Sequence, residues 1–219
     1  MSPGVSASDP VWRQAVRSEH HAGIGDAFVA LLWDIKKCDE HVGHRLLQRE
    51  ALALAFPIIV LRCSLSAYTW PRVLKLERAA AAPLFPTRGI IAGAFAATSE
   101  LKCFMLRAVS EYCVVYHPPS ICLSIHVDDS CLDANDTNEE ACMHRAVEAA
   151  WPLVALFEDE LQLPLAISKA CVTASSQSLA ERVARALGPY GGTAMHTVRN
   201  LGIAFSAGKP RGPWGRSCH

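Results

Sequence analysis

The first strongly patterned block of the chain is Ala27-Phe-Val-Ala-Leu-Leu-Trp33, an uninterrupted apolar run entered from Gly25-Asp26 and left at Asp34-Ile-Lys-Lys. An apolar run of this length, bounded by polar residues, predicts a buried strand with Asp34 at its C-terminal end. Over residues 41–56 the apolar positions Val42, Leu46, Leu47, Leu52 and Leu54 fall at helical spacing, and the pattern stops at Pro57. A second helix is expected over residues 58–68. Residues 72–84 show a modest alternation followed by an alanine run, and their state is left open. The small-residue stretch Gly89-Ile-Ile-Ala-Gly93 predicts a loop, and residues 94–109 after it have a strongly helix-forming composition.

After Pro118-Pro119 the segment Ser120-Ile-Cys-Leu-Ser-Ile-His-Val127 is apolar and β-branched, so it predicts a strand that ends in Asp128-Asp129. Thr137, followed three residues later by Glu140, reads as a capping box for a helix running to about Leu161. Residues 164–173 predict another strand, residues 178–187 a short helix ended by Gly188-Pro189, and residues 198–205 a hairpin-like segment. The order of strands and helices predicts an α/β layer with strands packed under helices. Residues 1–9 and the Gly-, Pro- and Arg-rich residues 208–219 lack periodicity and are expected to be disordered, leaving one domain over residues 10–207.

Lys plus Arg equals Asp plus Glu at 21 each, so no global positive field marks the chain as a nucleic-acid binder. The longest apolar candidate for a membrane span, residues 51–68, is broken by Pro57 and Arg62. The chain is therefore expected to be soluble and intracellular, with nucleus or cytoplasm left open. Nine cysteines without a C-x-x-C pair read as reduced, mostly buried thiols. Cys38, His41 and His44 form C-x2-H-x2-H, a minor candidate for zinc, with Asp34 or Glu40 needed to complete four ligands. No G-x-S-x-G nucleophile elbow is present.

The carboxylates carry the sharper chemistry. Phosphoryl transfer to a hydroxyl uses two magnesium ions held by hard oxygen ligands, and adjacent aspartates at one strand end plus a third on a neighbouring strand meet that need. Neighbouring carboxylates repel one another unless a cation neutralises them. The competing reading is a solvated acidic loop made of Asp128, Asp129, Asp133 and Asp136.

Five segments, in order, resemble the palm motifs of the reverse transcriptases of non-LTR retroelements. Asp34-Ile-Lys-Lys-Cys-Asp-Glu-His-Val is similar to the first motif and Arg88-Gly89-Ile-Ile-Ala-Gly93-Ala-Phe to the second. His126-Val-Asp128-Asp129 resembles the third, Lys169 fits the fourth, and Val198-Arg-Asn-Leu-Gly-Ile fits the leucine-glycine core of the fifth. The resemblance implies an α+β polymerase palm, a small, mostly antiparallel sheet packed against helices. It implies RNA-directed DNA polymerase activity, with an RNA template, a DNA primer and deoxynucleoside triphosphates as partners. Asp34, Asp128 and Asp129 would hold two Mg2+ ions, Mn2+ being an alternative, and Lys169 would protonate the pyrophosphate leaving group. Gly89 and Gly93 would let the backbone approach template and nucleotide, and Leu201-Gly202 would turn the strand pair that seats the primer end.

Three positions depart from the family pattern. His126 stands where an aromatic residue is usual, Asp39 where the aromatic side chain that excludes the ribose 2′-hydroxyl is common, and Ala92 where a glutamine often follows. With about thirty residues before the first motif, the fingers and thumb are expected to be largely missing, as in a truncated copy. The alternative is a catalytically inactive remnant that binds nucleic acid or protein.

Overall fold

The computed structural model describes residues 8–116, 120–200 and 203–205. In chain order the helices and strands are α1 (Ser8–Ile24), β1 (Ala27–Asp34), α2 (Cys38–His41), α3 (His44–Ala53), α4 (Ile58–Tyr68), β2 (Lys75–Leu76), β3 (Ala79–Ala80), α5 (Ala97–Val115), β4 (Ile121–His126), β5 (Asp129–Asp136), α6 (Glu139–Ala155), β6 (Cys171–Ala174), α7 (Gln177–Leu187), β7 (Thr193–Ala194), β8 (Val198–Asn200) and β9 (Ile203–Phe205). The contacts divide them into two compact units. The first contains residues up to 34, 115–154 and from 166 onward; the second contains residues 35–114 and 155–165.

The first unit is built on a five-stranded sheet in the order β4-β5-β1-β6-β7, antiparallel except for the β6–β7 pair. β1 sits in the middle, and Ala27 through Trp33 are all buried, so both faces of the sheet are covered, as the unbroken apolar run predicts. On one face Phe28, Ala30, Leu32 and Cys131 form a core cluster against Ala15 of α1 and Cys171 of β6. Residues of opposite parity, Val29, Leu31, Leu132 and Val172, are fully buried, as are Ala146, Ala150 and Leu153 on α6 and Leu179, Val183 and Leu187 on α7. Ser176 caps α7, its hydroxyl accepting from the Leu179 amide at 3.2 Å.

β5 was not legible as a strand. Asp, Asn and Ser are poor strand formers, yet Asp129–Asp136 pairs along its whole length with β1. The reason lies in α1, whose residues 10–24 the sequence patterns leave unassigned and whose first two, Ser8 and Asp9, are helical rather than part of the expected disordered tail. Asp133 is 3% exposed, and Gln14 donates to its Oδ1 at 2.9 Å while the Arg17 guanidinium donates to its Oδ2, with Arg17 Nε at 3.1 Å. A carboxylate read as part of a solvated loop is thus a buried, paired group beneath a helix.

Three further expectations are corrected. The helix over residues 41–56 is two helices, because Val42 and Gly43 are extended: Gly89 donates to the Val42 carbonyl at 2.8 Å and Gly43 bridges Arg88. The strand over residues 164–173 forms only in its last part. Ala166 still donates to the backbone carbonyl of Asp34 at 2.8 Å, but residues 167–169 wind into one 3-10 turn before β6 pairs with β1. The cap of α6 is Asn138, not Thr137: Asn138 Oδ1 accepts from the Ala141 amide at 2.8 Å, whereas the Thr137 hydroxyl bonds to Asp136. The helical winding continues past α6 as a π turn over Leu156–Glu160. The final hairpin forms as β8 paired with β9, but Leu201 and Gly202 lie outside the described residues.

In the second unit, residues 72–84, left open above, form a hairpin in which Arg72 and Leu84 exchange backbone bonds of 2.8 and 2.9 Å and β2 pairs with β3. The core of this unit is Leu47, Ala51, Leu61, Tyr68, Leu101 and Phe104. Tyr68 donates to Glu100 at 2.7 Å, and burial, reinforced by Glu100, pushes its hydroxyl up to about 12. Glu50, 2% exposed, is held by Arg107 through two bonds of 2.7 Å and by Arg49. These bonds depress its carboxyl to about 2.

Candidate active site

Asp34 ends β1, and the antiparallel register sets it directly opposite Asp129, the first residue of β5. Directly opposed residues place their Cα atoms about 5 Å apart with side chains on the same face. Asp129 is also the cross-strand partner of His126 on β4, and Val127-Asp128 form the two-residue turn between them. A two-residue hairpin turn needs a positive φ at its first central position, the conformation in which glycine is usual. Val127 takes φ 59° there, a strained value for a β-branched side chain. That conformation holds Asp128 at the tip of the turn beside Asp129.

The 3-10 turn that interrupts the expected strand delivers Lys169 to this end of the sheet. Its Nζ donates to Asp34 Oδ2 at 2.9 Å, with the Lys169 side chain 67% and the Asp34 side chain 20% exposed. Lys169 is raised above the usual lysine range, first by that hydrogen bond and by the Asp34 charge, with smaller contributions from Asp128 and Asp129. The Asp129 carboxyl is raised from its ordinary range, first by burial, then by the charges of Asp128 and Asp34, against the opposing pull of His126 and Lys169. Asp34, Asp128, Asp129, His126 and Lys169 therefore share one electrostatic site in the first unit.

The donor set is chemically suited to a hard divalent cation, since it is all oxygen and its like charges cost energy without one. Among the described residues, however, no group of three or more His, Cys, Asp or Glu side chains is drawn together as metal ligands. The lysine partly fills the role of counter-charge. The zinc candidates are likewise not gathered: Cys38 is buried, and His44 Nε2 donates to the Gly89 carbonyl at 2.8 Å.

Asp39, Gly89 and Gly93 lie in the second unit. Gly89 has φ +93°, and a Cβ there would meet the Glu40 carbonyl oxygen at 3.3 Å, so this position requires glycine. Ile90 donates to the backbone carbonyl of Asp39 at 2.8 Å, Gly89 donates to Val42, and His44 holds the Gly89 carbonyl. His44, a zinc candidate by sequence, is instead bound to this loop. Its role in the structure is to tie the glycine loop to the segment after β1. Gly93, at φ +79°, has open space where a Cβ would stand.

Comparison with known proteins bears on the fold. No family model matches the chain, and no curated protein matches it in sequence. Among solved structures it is similar to apo telomerase from Candida tropicalis truncated from its C-terminal domain, with a TM-score of 0.65 at 9% identity. The match covers 93% of this chain and 39% of the telomerase chain, so this chain spans well under half of that protein's length. The likeness is one of fold: a mixed α/β structure around a mostly antiparallel five-stranded sheet. Among the described residues no helix is long and apolar enough to cross a membrane.

Proposed function

We propose that this chain is the palm of an RNA-directed DNA polymerase of the non-LTR retroelement type, extending a DNA primer on an RNA template with deoxynucleoside triphosphates. The observation that carries the reading is the meeting of Asp34, Asp129 and Asp128 at one end of the sheet, with Lys169 on Asp34. The ordered palm motifs of the sequence and the likeness to telomerase support it.

In this reading Asp34 and Asp128 bind magnesium, with Asp129 as a further carboxylate. When bound, the metal supplies activation of the primer hydroxyl and charge neutralisation at the leaving pyrophosphate. The protein's own contribution is to hold these carboxylates on adjacent strands, where their repulsion favours a cation. Lys169 is charged at neutral pH, and its exposed ammonium is free to turn from Asp34 to a triphosphate and donate its proton to the leaving group. Gly89 is buried, its amide on Val42 and its carbonyl on His44, and its part in this reading is to set the course of the second unit's glycine loop. Asp39 puts a carboxylate where the sugar-discriminating aromatic is common, and His126 puts an imidazole beside the primer end.

The test is primer extension by the purified chain with Mg2+ or Mn2+ on an RNA template. Loss of roughly 100-fold or more in rate is expected for Asp128→Ala and for Asp34→Ala. Extension that survives both substitutions would sink the site assignment.

A second reading has its own observation. The carboxylates are not gathered as a three-ligand metal group, and Asp34 is already paired with Lys169. A catalytically idle chain that binds nucleic acid or protein gives no extension under any metal, even where the folded chain is verified by calorimetry.

A further inference from the structure

The hairpin of the second unit stands in solvent along its whole length. Every residue from Thr69 to Phe85 is exposed, Trp70 at 66% and Phe85 at 72%. An isolated two-stranded hairpin is marginal by itself, and its open edges invite a partner. Its charge is one-sided. Between Trp70 and Arg88 the cations are Arg72, Lys75, Arg78 and Arg88, and the one acid is Glu77. In a chain of zero net charge this is a local basic stretch, and exposed Arg62 on α4 precedes it. Several cations elsewhere are engaged by carboxylates, as Arg49 and Arg107 are on Glu50 and Lys169 on Asp34. Among the described residues no ion pair engages Arg62, Arg72, Lys75, Arg78 or Arg88. At the foot of the hairpin a cleft of about 400 Å3 is lined by Trp70, Arg72, Pro71, Ala67, Ile90 and Ile91.

We infer that this hairpin and its cleft form a holding surface for single-stranded nucleic acid, separate from the carboxylate site. Exposed aromatic faces that stack bases, interleaved with unpaired cations that take up phosphates, are the two components such surfaces use. Trp70 stacks a base in the cleft, with Arg72 beside it on the adjoining phosphate. Lys75 and Arg78 carry the strand along the hairpin. Leu74, Leu76 and Leu84 are also exposed and are what a protein partner would grip instead. The one-sided charge decides for a polyanion, and the leucines become an arm of the test. The inference shares its partner class with the proposed function but needs no catalysis.

The experiment is fluorescence anisotropy of labelled 15-nucleotide oligo(U) and oligo(dT) with the full chain, in EDTA, at 50–200 mM NaCl. The Arg72→Glu, Lys75→Glu, Arg78→Glu triple variant is expected to bind at least tenfold more weakly at 50 mM salt, and each lost phosphate contact flattens the log–log salt slope by about 0.7. Trp70→Ala is expected to weaken binding about fivefold or more. Failed primer extension by the wild-type chain with retained oligonucleotide binding removes the polymerase reading and leaves this one standing. Melting temperatures of the variants check that the exposed changes leave the fold intact. The inference is overturned if the triple variant and Trp70→Ala bind like the wild type. It is equally overturned if the wild type binds neither oligonucleotide, or if Leu74→Ser with Leu76→Ser abolishes a self-association while oligonucleotide binding never appears.

Discussion

Asp129 and Asp133 stand four residues apart on β5, on the same face of the sheet, and burial raises both carboxyls above their ordinary range. Their surroundings are opposite. Asp133 lies under α1, where Arg17 and Gln14 fill its hydrogen-bonding capacity. Asp129 has Asp34 and Asp128 for company, two more negative charges, with Lys169 reaching only Asp34. One end of the strand spends its charge on holding the fold together; the other leaves charge uncompensated where a cation or substrate would complete it. Glu50 in the second unit belongs with Asp133, since Arg107 and Arg49 enclose it. In the proposed reading a carboxylate cluster without enough arginine is the functional signal, and a carboxylate with its own arginine is a structural one.

Four measurements would break or sharpen that contrast. Arg17→Ala strips the buried Asp133 of its ion-pair partner and is expected to cost roughly 3–5 kcal/mol in urea denaturation. A cost below about 1 kcal/mol would mean that α1 does not neutralise Asp133. Glu50 carries the pH dependence. Its carboxyl is lowered from an ordinary value of 4.5 to about 2, so its stabilising contribution is present above pH 4.5 and is lost as pH falls toward 2. Melting temperature against pH should show this loss in the wild type and not in Glu50→Gln, which begins less stable.

At the open end the signs reverse. Val127→Gly relieves the positive φ of the turn and is expected to stabilise by about 1 kcal/mol, with the gain read from denaturation midpoints. Asp129→Asn removes a carboxylate whose raised value means that the folded state holds its proton more tightly than the unfolded chain. That disfavours folding progressively as pH rises through the raised value, and the asparagine escapes it. The variant should melt about 2 °C higher than the wild type at neutral pH, with the difference closing on acidification. A lower melting temperature at neutral pH would show that Asp129 is structurally paired after all.

Much of the site was legible because it sits at strand ends that hydrophobic patterning marks well. The run ending at Asp34, the strand ending at Asp128-Asp129 and the loop at Gly89 are local features, and local sequence predicts local features. β5 was hidden because its aspartates and asparagine mimic a loop, and only the arginine and glutamine of a helix more than 110 positions earlier make them a strand. Lys169 was seen as a candidate, but its contact with Asp34 depends on a 3-10 turn that the apolar run of residues 164–173 does not betray. The split between α2 and α3 was hidden for the same reason, since it answers to the loop at Arg88-Gly89.

By itself the sequence determined which residues could be buried, where the strands meet their acidic ends and which glycines interrupt the chain, because these follow from side-chain polarity and period. The tertiary structure decided which carboxylates are neutralised and which are left in common, because charge compensation depends on distances between residues far apart in the chain. Asp133 and Asp129 look alike in the sequence. Only the packing of α1 over one and the register of β1 against the other make the first a structural residue and the second a candidate catalytic one.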